Sequence, residues 1–184
     1  MVYISGGNQL IDARKIFDSL KFRPGLKVAD LGCGVTGFFT IPTGKLVGET
    51  GTVYAVDILK SVLKEVATRA RLEGVKNIKT VWTNLEIYGA TKIPEHSLDA
   101  VLIINLLCQT KQRQEILREA HRLLKPSGKM LVCDWNNKQA PLGPREEDKI
   151  SKNTVKKMAD ELNLRMEKEF PAGLYHYGLI FKKI

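Results

Sequence analysis

The 184-residue sequence has no run of 18 or more apolar residues, and its longest apolar stretch, 100–107, is interrupted by Asn105. A membrane-spanning helix is therefore excluded. The amino terminus, Met1-Val2-Tyr3-Ile4-Ser5-Gly6-Gly7, lacks the basic head and long apolar core of a secretion signal. Cysteine is scarce: Cys33, Cys108 and Cys133 are odd in number and far apart, with no CxxC pair. That supports neither a disulfide framework nor a zinc site, so no metal is expected and the cytoplasm is the expected location. Internal repeats, low-complexity tracts and a linker able to separate domains are also missing. Residues 1–184 are expected to form a single domain.

Charge of one sign is in excess: 29 lysines and arginines stand against 20 acids, a formal charge of +9. A basic surface collects phosphates, so nucleic acid is one candidate partner. The basic residues are nevertheless scattered among acids. Residues 1–110 carry 13 basic and 10 acidic side chains, residues 111–184 carry 16 and 10, and the densest runs, 152–157 and Lys182-Lys183, are short. A solvated basic face accounts for this pattern, with nucleic-acid binding kept as the alternative.

Two hydrophobic periods alternate along the chain. Ala13, Ile16, Phe17 and Leu20 lie at helical spacing, which predicts a helix over 9–21, ended by Pro24-Gly25. A strand over 26–31 runs into Gly32-Cys33-Gly34-Val35-Thr36-Gly37. A helix to about Val47 follows, and Pro42 requires that it start late, because proline fits only a first turn. Further strands are predicted at 52–56, 78–82, 98–104, 129–133, 165–170 and 177–182. Helices are predicted at 59–73, 111–124 and 154–162, and a long polar loop at 134–151. The nearly unbroken apolar character of 98–104 suits a strand buried on both faces. Alternating strands and helices give an α/β fold: a doubly wound, seven-stranded, mostly parallel sheet with helices on both faces. The last two strands are joined by only Pro171 to His176, too short for a parallel crossover, so strand seven is expected to run antiparallel.

Open α/β sheets bind ligands beyond the carboxyl ends of their strands. Gly32 and Gly34 remove Cβ atoms where a ligand must approach backbone amides. Asp57 ends the second strand, where a carboxylate can accept hydrogen bonds from both hydroxyls of a ribose. It could also cap the helix that starts near Leu59, a role compatible with ribose binding. Gly32, Gly34 and Gly37 also fit the GxGxxG spacing of nicotinamide-binding domains, so an oxidoreductase or a non-catalytic nucleotide-binding module is one reading. Against it stands Asp30, two residues before the first glycine. A carboxylate there repels a pyrophosphate but suits a cation, and S-adenosylmethionine (SAM) carries a sulfonium and an ammonium and no phosphate.

At these residues the chain resembles the class I SAM-dependent methyltransferases. Val28-Ala29-Asp30-Leu31-Gly32-Cys33-Gly34 is similar to that family's first motif. Gly51-Thr52-Val53-Tyr54-Ala55-Val56-Asp57 resembles its second strand and acidic ribose ligand. Ser97-Leu98-Asp99-Ala100-Val101 resembles the start of its fourth strand, and Leu123-Leu124-Lys125-Pro126-Ser127-Gly128-Lys129 the turn before its fifth. The match covers about residues 25–135, and the glycine loop departs from it by one extra residue, Val35-Thr36 filling the last gap. Within the family the pattern is most similar to the ubiquinone and menaquinone biosynthesis group.

The resemblance implies a Rossmann-like domain that uses SAM and releases S-adenosylhomocysteine (SAH). By the same resemblance Asp30, Gly32, Cys33 and Gly34 would line the methionine end, and Asp57 would bind the ribose. Ile58 would pack on the adenine, Asn84 and Leu85 would reach its amino group, and Asn105 would sit beside the sulfonium. Asn84 and Asn105 also have plain readings, as a turn residue and a helix cap. Residues 1–24, a helix and what precedes it, would cover the cofactor side. His176 opens the antiparallel strand on the active-site side and is the candidate base, titrating near neutral pH, unless it only packs at the sheet edge. A small molecule is the leading acceptor and RNA or protein the alternative; oligomeric state has no signal in the sequence.

Overall fold

The computed structural model describes residues 7–184. Among them seven strands form: β1 (Lys27–Leu31), β2 (Thr52–Asp57), β3 (Ile78–Trp82), β4 (Leu98–Ile104), β5 (Leu124–Trp135), β6 (Leu164–Pro171) and β7 (His176–Lys183). Five α-helices accompany them: α1 (Ala13–Leu20), α2 (Thr40–Val47), α3 (Lys60–Leu72), α4 (Arg113–Leu123) and α5 (Lys152–Asp160). The strands make one sheet in the order β3-β2-β1-β4-β5-β7-β6. Pairing is parallel from β3 through β5, and β7 is antiparallel to both β5 and β6. This is the Rossmann-like α/β sheet that the alternating periods predict.

Apolar side chains cover both faces of the sheet. On one face Val28, Val53, Leu102, Leu131 and Ile180 pack with Ile16 and Leu20 of α1 and Val47 of α2, while Val62, Leu63 and Val66 of α3 meet Ala55 and Cys33. On the other, Leu31, Val101, Ile103, Val132 and Phe181 pack with Ile116, Leu117 and Leu123 of α4 and Val155 of α5. Helix α2 does start late: Pro42 is its third residue, within the first turn that tolerates proline. Among the described residues no helix is long and apolar enough to cross a membrane.

Two elements differ from the sequence prediction. The single helix over 9–21 is a 3-10 turn at Gly7–Leu10 followed by α1, because Asp12 accepts a hydrogen bond from Lys15 N (3.3 Å) and caps a new helix there. Residues 1–6 of the expected cover lie outside the described residues. Strand β5 begins five residues early, since Leu124 already pairs with Leu98 before the chain bulges at 125–128 and resumes pairing at Lys129.

The amino edge of the sheet is fastened by charge. Lys183, buried at the end of β7, donates from Nζ to His121 O (2.7 Å), Leu124 O (2.9 Å) and His96 Nδ1 (3.1 Å), and so satisfies carbonyls at the end of α4. Glu119 of α4 is fully buried, ion-paired to Arg122 (2.6 Å), and accepts from Gly89 N (2.8 Å) and Thr91 N (3.1 Å). It holds the β3–β4 connection against α4. Glu119→Ala takes from Arg122 its nearer carboxylate, leaving it Glu95 (3.4 Å) and Thr91 O, and strands two backbone donors; it should destabilise the fold by about 3–5 kcal/mol, read as a lowered midpoint of urea unfolding.

Candidate functional site

The exits of β1 and β2 are built as one unit. After Leu31 the chain turns through Gly32 (φ +75°), and a Cβ there would stand 2.9 Å from Leu106 Cδ1. Only glycine meets both demands. Gly32 N and Cys33 N both donate to Val56 O (2.8 and 3.1 Å), and Gly34 N donates to Asp57 Oδ2 (3.3 Å). The other Asp57 oxygen accepts from Leu59 N (3.0 Å). Asp57 therefore joins the glycine turn to the approach to α3, but it is not the helix cap: the N-cap of α3 is Leu59, and no side chain caps the helix. The extra residue of the loop is absorbed in a turn closed by Gly37 N to Gly34 O (3.1 Å).

Asp30, the penultimate residue of β1, lies beneath this turn with 2% exposure, and Asp57 is 8% exposed. Thr40 Oγ1, at the start of α2, donates to Asp30 Oδ2 (2.6 Å). Burial pushes the Asp30 carboxyl up to about 6, and the nearby Asp57 charge adds to the rise. Among the described residues neither acid is ion-paired to a lysine or arginine. Two carboxylates thus converge without a protein cation between them. Thr40 is a member of the site that sequence reasoning missed, since nothing in the periodicity links it to Asp30 ten residues earlier.

Beside Asp57 the sheet edge is apolar and open. Ile58 is 54% exposed, and its carbonyl accepts from Trp82 Nε1 (2.8 Å), whose ring is itself 58% exposed with Lys60 Nζ 4.6 Å from its centroid. Trp82 too was missed; its place as the last residue of a predicted strand was the available signal. Asn84 Oδ1 accepts from Glu86 N (2.9 Å) and shapes the turn after β3, while Leu85 packs into the core on the α4 side.

Toward the middle of the sheet, Asn105 follows β4 with φ +52°. Its Nδ2 donates to Asn8 Oδ1 (3.0 Å) and its carbonyl accepts from Gln109 Nε2 (2.6 Å). Asp134, near the end of β5, is fully buried; its oxygens accept from Cys108 N (3.3 Å) and Trp135 N (2.8 Å), and burial pushes its carboxyl up to about 6. His176 pairs with Trp135 across the β5–β7 ladder, their ring centroids 4.2 Å apart. The imidazole is 1% exposed and burial pushes it down to about 4. It is neutral throughout the physiological range, below the near-neutral titration expected of it from the sequence, because nothing charged stands close enough to offset the loss of water.

The strand order, the antiparallel β7, the glycine turn and the acid closing β2 together define the class I SAM-dependent methyltransferase architecture. A family model described as a methyltransferase domain matches residues 22–174. The chain belongs to this methyltransferase-domain family, whose cofactor is SAM. It is 37% identical over 139 residues to the ubiquinone/menaquinone biosynthesis C-methyltransferase UbiE of Shewanella sp. (strain ANA-3), a match covering 75% of this chain and 54% of that protein. The chain thus spans about half the length of the curated relatives it matches. In fold it is similar to a SAM-dependent methyltransferase from Aquifex aeolicus (TM-score 0.86, 21% identity, 97% of this chain and 93% of that one). It is similar also to a putative type 11 methyltransferase from Sulfolobus solfataricus (TM-score 0.75, 24% identity, 95% and 94%).

The buried acids make a pH prediction. Between the ordinary carboxyl value of 3.8 and about 6, Asp30 and Asp134 hold a proton in the folded chain that they have lost in the unfolded one. The folded state binds more protons there, so each acid lowers stability as pH rises through that window, by up to about 3 kcal/mol. Asp30→Asn should gain stability relative to the wild type from pH 4 to 6, and the difference should level off above it. Urea unfolding across that range measures it; a difference independent of pH would contradict the assignment.

Proposed function

We propose that the chain transfers a methyl group from SAM to a small-molecule acceptor and releases SAH. The observation that carries this reading is the pair of buried acids, Asp30 and Asp57, without a protein cation between them. Such a pair suits a ligand that brings positive charge and hydroxyl donors, and it repels a pyrophosphate. When bound, SAM supplies a methyl group already activated on a sulfonium.

The chain's own residues then have defined tasks. Each Asp57 oxygen accepts one backbone N–H and keeps a lone pair for a ribose hydroxyl. The backbone of Gly32, Cys33 and Gly34 and the Asp30 carboxylate take the methionine end. Ile58, with Trp82 beside it, offers an apolar surface to the adenine, and the Asn84 amide nitrogen offers a polar group at the β3 exit, while Leu85 is turned into the core. Asn105, at the exit of β4, would border the methyl-bearing end. The reaction is an in-line displacement, so what the protein must add is alignment and exclusion of water. The relatives named for quinone biosynthesis make hydroquinones natural members of an acceptor screen, and their greater length keeps that identity open to test.

Calorimetric titration with SAM, SAH and NAD tests the reading. SAM and SAH should bind and NAD should not. Asp57→Ala loses charge-assisted hydrogen bonds of about 1.5–3 kcal/mol, so SAH should bind about 10–100-fold more weakly. SAM affinity should also fall as pH drops below about 6, where Asp30 takes up a proton, and Asp30→Asn should flatten that dependence. Binding of NAD, or of none of the three, overturns the proposal.

A further inference from the structure

A cleft of about 500 Å³ opens at the amino edge of the sheet, between the end of α1 and the strands β5, β7 and β6. Strand register sets its floor. Lys129 of β5 pairs with Lys182 of β7, and Lys182 pairs in turn with Arg165 of β6. Paired residues on neighbouring strands point to the same face, so three cations stand side by side over about 10 Å, two strand spacings. The face is the one that α1 covers, since Leu131 and Ile180, two residues away along β5 and β7, pack with Ile16 and Leu20. Lys21, at the end of α1, adds a cation to the wall, and Lys168 Nζ is held there by Ser19 Oγ (2.9 Å).

Like charges set directly opposite one another weaken a sheet, yet the chain does little to neutralise these. Glu167, the extra residue at the β6 bulge, pairs with Lys129 (3.0 Å). Among the described residues neither Arg165 nor Lys182 is ion-paired to a carboxylate, and Asp18, the other acid of the cleft, has no ion pair either. The row is also short. Beyond Lys129 it meets Ala100 of β4, and beyond Arg165 the sheet ends. Further along the edge Lys125 is matched by Asp99 (2.8 Å), and Arg122 by Glu119 (2.6 Å) and Glu95 (3.4 Å).

We infer that this cleft binds a compact anion of two or more linked phosphate groups, held by Lys129, Lys182 and Arg165. Three cations in a line match linked phosphates, each lying between two neighbours in the row. Arg165 supplies a planar fork suited to phosphate oxygens, and the lysines supply point charges. A nucleic-acid backbone needs a longer track, and this row stops after three strands. Lys182 lies six residues along β7 from His176, about 20 Å, so the site is separate from the cofactor edge and does not depend on methyl transfer. Glu167 is the anion that an incoming phosphate must compete with for Lys129.

Calorimetry of the full chain at low ionic strength, in magnesium-free buffer, tests the site with inorganic diphosphate, inorganic phosphate and a short single-stranded RNA. Diphosphate should bind saturably and about tenfold more tightly than phosphate. Arg165→Gln and Lys182→Gln should each weaken it about tenfold, while Lys182→Gln keeps a Tm no lower than the wild type. Lys157→Gln removes the same charge from the exposed side of α5, on the opposite face, and should leave binding within about twofold. Glu167→Gln frees Lys129 and should tighten binding about threefold, a gain that misfolding cannot mimic. Equal weakening by Lys157→Gln would reduce the effect to general charge and overturn the site. Phosphate binding as tight as diphosphate, or diphosphate displaced by SAH, would overturn it too. RNA binding that depends on Arg165 without any diphosphate binding would replace it with a nucleic-acid surface.

Discussion

Where a parallel sheet ends, every strand must release its chain, and the backbone N–H groups of those exits have no ladder partner. This fold answers twice with the same device. Asp57 of β2 takes N–H groups from the β1 exit and from the start of α3, through Gly34 and Leu59. Asp134 of β5 takes the N–H of Cys108 beyond β4 and that of its own neighbour Trp135. Main-chain bonds repeat the pattern, from Gly32 N to Val56 O and from Asn105 N to Cys133 O. Each strand exit is thus held by the strand beside it, and the turns that face a ligand are fixed before any ligand arrives.

That arrangement places acids where burial makes them costly, and the cost has a use. Asp30 gains a single side-chain donor, Thr40, and a second carboxylate nearby. A positive charge brought there would relieve both burdens at once. The glycines extend the logic in space. Gly32 lets the turn lie against Leu106, which brings the β4 exit, and with it Asn105, beside the cofactor turn. The exits of β1 and β4 are therefore in direct contact through Leu106.

Much of this was legible in the sequence, and the part that was not has one physical cause. Strands β3 and β4 fall where predicted because their apolar runs are bounded by polar turns, and β7 had to reverse because six residues cannot cross over a sheet. The turn at Gly32 and the acid at Asp57 were visible for the same local reason. What escaped depends on pairing between distant segments. The early start of β5 follows from Leu124 meeting Leu98, and Thr40 joins the site only once α2 is docked over Asp30. The division of the first helix rests on Asp12, whose N–H is also held by Ala172 O (2.7 Å), 160 residues further on. His176 was noticed for its place in the chain, but its neutral state comes from Trp135 across a ladder whose register no local pattern encodes.

The two edges of the sheet spend their polar groups in opposite ways. At the amino edge Lys183 places all three of its donors, and Glu119 fills both oxygens with backbone and guanidinium partners. Asp99 does likewise, accepting from Lys27 N (2.8 Å) and Lys125 Nζ (2.8 Å). At the carboxyl edge Asp30 and Asp134 sit with raised carboxyls, Asn105 leaves an oxygen unused and His176 leaves both nitrogens unused. Composition does not separate the edges, since both hold acids and a histidine. The difference lies in completion: at the amino edge the buried charged groups are paired by the chain itself and only the Thr91 hydroxyl is left over, whereas the carboxyl edge leaves an amide oxygen and a whole imidazole unpaired. Natural folds depart from local consistency mainly at functional sites. Here the departures collect along the one edge where a parallel α/β sheet can present a ligand to several strand exits together.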